Sequence, residues 1–315
     1  MDIRRYQLFV EIAEAGSLTQ AAKRLGYTQS RASHMVKSLE TELGFPLFAR
    51  KNRAVFLTEA GRALLPAARV LLQGNERIRQ VAGRISGRRV GRLEIGSYSS
   101  IAALWLPPVI QAFSEENPQV SIRLREGNAQ QLERWIDDGS VDFAFLSFRP
   151  EQTFRWIPML DDELMAVLPP SDPLRGLPVI PVDALRGKRF IAPGGLGTEY
   201  NVHAALEPGR FMPETRLTAM EDATIISMVA HGLGYSILPR LILDSRPAEV
   251  AARPLAPSLH RTLGIGISRA CPISPAAADF ITCALKRYQH EAYQETADWK
   301  QIHEEISCEM DSLEK

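Results

Sequence analysis

The chain has 315 residues, too many for one small domain and enough for two or three. Its composition, 45% hydrophobic and 23% charged, is that of an ordinary soluble protein, and no run approaches the roughly 18 consecutive apolar residues that a membrane helix needs. Net charge is zero but unevenly spread: residues 1–92 carry 17 Lys and Arg against 7 Asp and Glu, and the remainder 20 against 30, so a basic third suited to phosphate precedes an acidic body unsuited to gripping nucleic acid.

The opening "MDIRRYQLF" lacks the apolar core of a signal peptide, which predicts a cytoplasmic protein with no membrane partner. Ile3, Tyr6, Phe9, Val10 and Ala13 make a first amphipathic helix. Ser17 and Gln20 fit a capping box, and Leu18, Ala21, Ala22 and Leu25 form the apolar stripe of a second helix that Gly26 can close. Thr28 is placed to cap a third, with Ala32, Val36, Leu39 and Leu43 buried and Gly44 stopping it. Two helices joined by the short turn "GYT" give a helix-turn-helix. The open face of the later helix carries Gln29, Ser30, Arg31, Ser33, His34 and Lys37, donors and acceptors of the kind that read base edges and phosphates in a major groove. "FPLFARKNRAVFLT" then predicts two short strands around the basic tip Arg50, Lys51, Asn52 and Arg53, a wing able to touch the phosphate backbone.

With these residues in view, "SLTQAAKRLGYTQSRASHMVKSLETELGFPLFARKNRAVFLTEAG" resembles the N-terminal domain of LysR-type transcriptional regulators. The Ala21–Ala22 pair, Gln29, Ser33, "LETELG", "LFAR" and "LTEAG" carry the resemblance. Arg31 stands where that family often has a small residue, and it is either a guanine reader or a phosphate clamp. The resemblance implies promoter DNA, a small-molecule effector and self-association as a dimer of dimers, and leaves RNA polymerase open as a further partner.

Thr58 caps the next helix, with Glu59 in its first turn. Leu57, Gly61, Leu64, Ala68, Leu71, Asn75, Ile78, Ala82 and Ile85 form a seam of about four heptads, which predicts a dimerising helix kinked at Pro66. "GRISGRRVGR", residues 83–92, reads as a hinge.

Beyond it, strand and helix patterns alternate: "GRLEIGSYSS", a helix from Ile101 to Glu116, "VSIRLREG", a helix from Ala129 to Asp138, and "VDFAFLSF". Near-continuous apolar strands predict a mainly parallel sheet covered on both faces. A second unit is expected near Leu160, with "LMAVLPP", "RFIAP", "TRLTAM", the helix "ATIISMVAHGLG" and "YSILP"; "TLGIGISR" and a helix from Pro275 to Tyr288 return to the first unit. This half resembles the two-lobed, periplasmic-binding-protein-like (type II) α/β effector domain of LysR-type regulators, most of all in "EDATIISMVAHGLGYSILP". The expected division is residues 1–58 for the winged helix-turn-helix, 59–90 for the linker helix, and 91–290 for the effector domain. Lobe 1 would take 91–160 and 262–290, lobe 2 161–261, and 291–315 an acidic, helical tail.

Ligands on open α/β sheets sit beyond strand carboxyl ends, where helix N-termini offer free N–H groups. Ser97, Ser99 and Ser100 after the first strand, Gly127 and Asn128 after the second, and Ser147 after the third meet that description. The other lobe offers the loop "GGLGT", with Gly197 and Thr198, and the pair Glu221–Asp222. The family resemblance implies that the serines, Asn128, Thr198 and the Glu221 region line an inter-lobe cleft. Hydroxyls and amides without a dedicated lysine suit a small carboxylate or other polar metabolite, although Glu221 and Asp222 would repel an anion unless they only cap a helix. Cys271, Cys283 and Cys308 form no CxxC pair and no metal cluster, Cys283 reads as a core residue, and no cofactor is expected. An enzyme reading lacks a nucleophile-base-acid set, a phosphate loop and metal spacing; a transport-type binding protein would carry a signal sequence and no helix-turn-helix.

Overall fold

The computed structural model describes residues 2–51, 54–194, 214–244, 250–270 and 272–289. The N-terminal head contains α1 (Ile3–Ala15), α2 (Leu18–Arg24), α3 (Gln29–Leu43), β1 (Phe48–Lys51) and β2 (Ala54–Leu57). Helix α1 buries two faces. Tyr6 and Phe9 pack with Leu39, Leu47 and Ala68, whereas Leu8 and Ile12, outside the expected stripe, pack with Ala21, Ala22 and Ala32. Gly26 takes φ +70°, and the bonds Tyr27 N–H to Ala22 O (2.8 Å) and Gly26 N–H to Lys23 O (3.2 Å) close α2 as a Schellman motif. Thr28 Oγ1 accepts from Arg31 N–H at 3.2 Å and starts α3 at once.

The wing pairs antiparallel, with Phe48 opposite Leu57 and Lys51 opposite Ala54. Glu40 Oε1 anchors it to α3 by accepting from the backbone N–H of Leu47 (2.7 Å) and Phe48 (3.2 Å). Thr58 Oγ1 accepts from Gly61 N–H (2.9 Å) and donates to Pro46 O (2.8 Å), joining the wing to α4 (Glu59–Ile85). A Cβ at Gly61 would lie 2.3 Å from Leu47 O, so this contact requires glycine.

Helix α4 runs undivided through Pro66. Its seam does not act as one stripe. Leu57, Leu64, Ala68 and Leu71 pack into the head's own core, because Phe9, Leu39 and Leu47 already supply an apolar partner. Ile78 and Ile85, by contrast, are 69% and 73% exposed. The hinge is also shorter than expected: α4 continues to Ile85, Gly87 (φ +69°) and Arg88 close it, and β3 begins at Val90.

The body comprises β3 (Val90–Ser97), α5 (Ser99–Leu104), α6 (Leu106–Glu116), β4 (Gln119–Glu126), α7 (Ala129–Asp137), β5 (Phe143–Ser147) and β6 (Arg155–Leu168). There follow β7 (Ile180–Pro181), β8 (Phe190–Pro193), β9 (Thr215–Ala219), α8 (Asp222–Ala230), β10 (Ser236–Pro239), α9 (Arg240–Asp244), β11 (Ala251–Ala256), β12 (His260–Ile267) and α10 (Pro275–Tyr288). The main sheet has the order β4-β3-β5-β12-β6-β11-β7, with β10 also on β6.

The expectation of a mainly parallel sheet is corrected: β3 is parallel to β4 and β5, but β12 is antiparallel to β5 and β6, and β10 and β11 are antiparallel to β6. The second unit expected near Leu160 opens inside a continuous strand. Strand β6 starts at Arg155 and runs through both lobes, pairing first with β12 and then with β10 and β11. One core gathers Leu93, Ile95, Phe143, Phe145, Ile265 and Phe280; another gathers Leu164, Ala166, Phe190, Tyr235 and Ile237. Cys283 packs, partly buried, against the first, and burial pushes its thiol up.

Candidate functional sites

Burial of Ala32 and Leu39 fixes which side of α3 faces out. Gln29, Ser30, Arg31, His34 and Lys37 are exposed and Ser33 is half-buried, so the six expected readers share the open flank of one helix. The Arg31 guanidinium lies over the Tyr27 ring, 4.9 Å from its centroid. The strands bring Arg50 and Lys51 to the free end of the wing; their side chains, and the tip residues Asn52 and Arg53, lie outside what is described.

In the body, β4, β3 and β5 are neighbours, and their carboxyl ends bring the expected lobe 1 residues together. Ser97 is fully buried; its O accepts from Gly127 N–H (3.1 Å), and Tyr98 N–H donates to Phe145 O (3.2 Å). Ser99 is exposed at the start of α5, and Ser100 is buried. Asn128 forms a capping box on α7: its Oδ1 accepts from Gln131 N–H and Gln131 Oε1 accepts from Asn128 N–H, each at 3.0 Å. Its side chain is therefore already engaged. Ser147 Oγ, buried, is 3.1 Å from Tyr98 Oη. Glu221 is exposed at the start of α8 on the other lobe and makes no side-chain cap bond. Gly197 and Thr198, together with Cys271, Cys308 and residues 290–315, lie outside the described residues.

Three residues at this place were not anticipated. Arg261 Nε and Nη2 both donate to Asp162 Oδ2, at 2.9 and 2.7 Å, and both side chains are buried. Asp162 Oδ1 accepts from Leu241 N–H at 3.0 Å, tying α9 to the point where β6 passes between lobes. The same guanidinium lies 5.6 Å from the Tyr98 ring, whose phenol is pushed up by burial. The available signal was a charge inside a strand pattern: "LDDEL" and "LHRTL" each interrupt an apolar run, and buried charges need opposite partners.

The linker helix clasps lobe 1. Gln80, buried, donates through Nε2 to Arg92 O (3.3 Å) and accepts from Ala276 N–H (3.0 Å). Arg84 pairs with Asp279, and Gln73 Nε2 donates to the carbonyls of Gly139 and Val141, each at 3.2 Å. Arg69 lies between domains, 2.6 Å from Asp138 of the body and 3.6 Å from Glu14 of the head. A groove of about 470 Å³ remains between α4 and the β12–α10 segment, lined by Ile78, Ile85, Ile267, Ile273 and Asp142. Burial pushes the Asp142 carboxyl up to about 7, against the hydrogen bond from Glu94 N–H at 2.7 Å.

A basic winged helix-turn-helix, borne on a long helix by a two-lobed body with polar groups at its strand ends, defines a DNA-binding regulator with a sensor domain. Residues 3–62 match the family described as bacterial regulatory helix-turn-helix protein, lysR family, and residues 86–289 match the LysR substrate binding domain. The probable HTH-type transcriptional regulator LrrA of Synechococcus elongatus is 31% identical over 281 residues, 89% of this chain and 95% of the relative. A full-length OxyR variant from Pseudomonas aeruginosa is similar in structure, with a TM-score of 0.74 at 24% identity over 92% of this chain and 98% of the other. Full-length CbnR complexed with its target DNA gives 0.61 at 21% identity, covering 91% and 99%. The chain belongs to the LysR family of DNA-binding transcriptional regulators. Its curated relatives are regulators and not enzymes, and with them the enzyme reading falls.

Proposed function

We propose that this regulator binds promoter DNA through the face Gln29, Ser30, Arg31, Ser33, His34 and Lys37 and the wing residues Arg50, Lys51 and Arg53. A small polar metabolite binds between the lobes near Ser97, Ser99, Ser100 and Ser147, with Gly197, Thr198 and Glu221 on the other side. Asn128 acts there through the end of α7, which it caps. Dimers form through α4 and pair into a dimer of dimers in the cytoplasm, where RNA polymerase is a candidate contact. The ligand works by favouring one arrangement of the oligomer, and hence one bend or spacing of DNA.

The observation that carries this reading is the gathering of four serines at the carboxyl ends of the adjacent strands β3 and β5, beside the end of β4. A reporter driven by the regulated promoter tests it. Ser99→Ala, at an exposed position, is expected to abolish the response to the inducing metabolite while leaving DNA affinity nearly intact. A normal response from that variant would move the ligand elsewhere.

A further inference from the structure

On the head, the arginines near α3 divide into two kinds. Arg5 is paired with Glu42 and Arg24 with Glu11, each at 2.8 Å. Arg31 has no carboxylate partner among the described residues; its guanidinium is instead held over the ring of Tyr27. Tyr27 is itself fixed, because its N–H closes the turn onto Ala22 O and its side chain packs against the core formed by Leu8, Ile12, Ala21 and Ala32. A half-buried aromatic ring thus supports an exposed cation in the first turn of α3.

We propose that Tyr27 and Arg31 form a preorganised reader of one guanine in each half-site, with Arg31 the specificity-determining residue and Tyr27 its positioning partner. This rests on the reading of α3 as the helix that enters the major groove. N-terminal residues of such a helix meet base edges. The guanidinium is a planar fork, and guanine presents O6 and N7 as two acceptors side by side. A phosphate contact needs only positive charge, which Lys37 and the wing already offer. Base reading needs the fork held in one direction, and stacking on a fixed ring supplies that while leaving the N–H edge free. Ordering a long exposed side chain before binding also removes rotamer entropy that binding would otherwise lose.

The test is selection of sites from a pool of duplex DNA with a randomised central segment, using the full-length chain. Wild-type protein is expected to enrich a symmetric motif with a guanine at one position per half-site. Arg31→Ala should lose discrimination at that position alone, by roughly 5- to 150-fold, and keep the rest of the motif. Arg31→Lys retains the charge and should keep the salt dependence while weakening the guanine preference. Tyr27→Ala should weaken the same position, and Tyr27→Phe, which keeps the ring, should restore it. An unchanged motif for Arg31→Ala, with only a shallower salt dependence, would make Arg31 a phosphate clamp and overturn the proposal alone. A wild-type pool that enriches no sequence overturns it together with the DNA-binding role of α3.

Discussion

Asp162 and Arg261 face each other across β6 and β12, and the carboxylate has a second duty at the start of α9. A buried ion pair is weak evidence for stability, because desolvation offsets much of the attraction, but breaking one side leaves a charge stranded in the interior. Asp162→Ala strands the Arg261 guanidinium and releases Leu241 N–H. The expected loss is about 3–5 kcal/mol, read as a lower urea midpoint of tryptophan emission. Replacing both partners, Asp162→Leu with Arg261→Met, should recover most of it, since no charge then remains to be solvated. A single variant within about 1 kcal/mol of wild type would mean that water reaches Arg261. The pair ties β6 to β12 beside Tyr98 and Ser147, where β6 passes from one lobe to the other.

At the level of elements, what could be read from the amino-acid order depended on how local the deciding interaction is. Ser17, Thr28, Asn128 and Ser274 cap their helices through bonds that span three residues, and those starts follow from side-chain chemistry alone. Helix closure at Gly26 and Gly44 is local in the same way. The direction of β12 and the length of β6 are not local. "LDDEL" breaks an apolar pattern at the point where the strand changes partners, so the expected boundary falls within one unbroken strand. Strand β11, "AARPLA", was invisible because it holds Pro254 and little alternation.

The α4 seam shows the limit most clearly: a heptad states that one face is apolar and does not say what covers it. The head's own core covers the first half and leaves Ile78 and Ile85 exposed, where the proposed dimer contact would lie. Ile78→Asp combined with Ile85→Asp should shift the sedimenting species toward monomer and reduce DNA affinity, with the head still folded. An unaltered sedimentation coefficient would place the dimer contact elsewhere. The candidate effector site was legible only in part, for a related reason. Strand ends and small polar residues mark where a ligand could sit, whereas Tyr98 and Arg261 come together only through sheet order.

For the whole molecule, the question is how a ligand in the body alters a head that it does not touch. Lobe 1 holds α4 through Gln73, Gln80 and Arg84, and α4 carries the head on its other end. Arg69 connects Glu14 of α1 to Asp138 at the end of α7, and Arg125 Nη1 approaches Glu14 to 3.9 Å. Asn128 caps the opposite end of α7, beside the serine cluster, so α7 is a rigid element with the proposed ligand at one end and the linker contact at the other. All of this presupposes that the basic head grips duplex DNA. The direct measurement is a mobility shift with the full-length chain and the region upstream of its own gene, repeated over a range of salt concentrations. Retardation is expected at low ionic strength and should weaken steeply as salt rises, through release of phosphate counterions. No retardation at low ionic strength would contradict that grip.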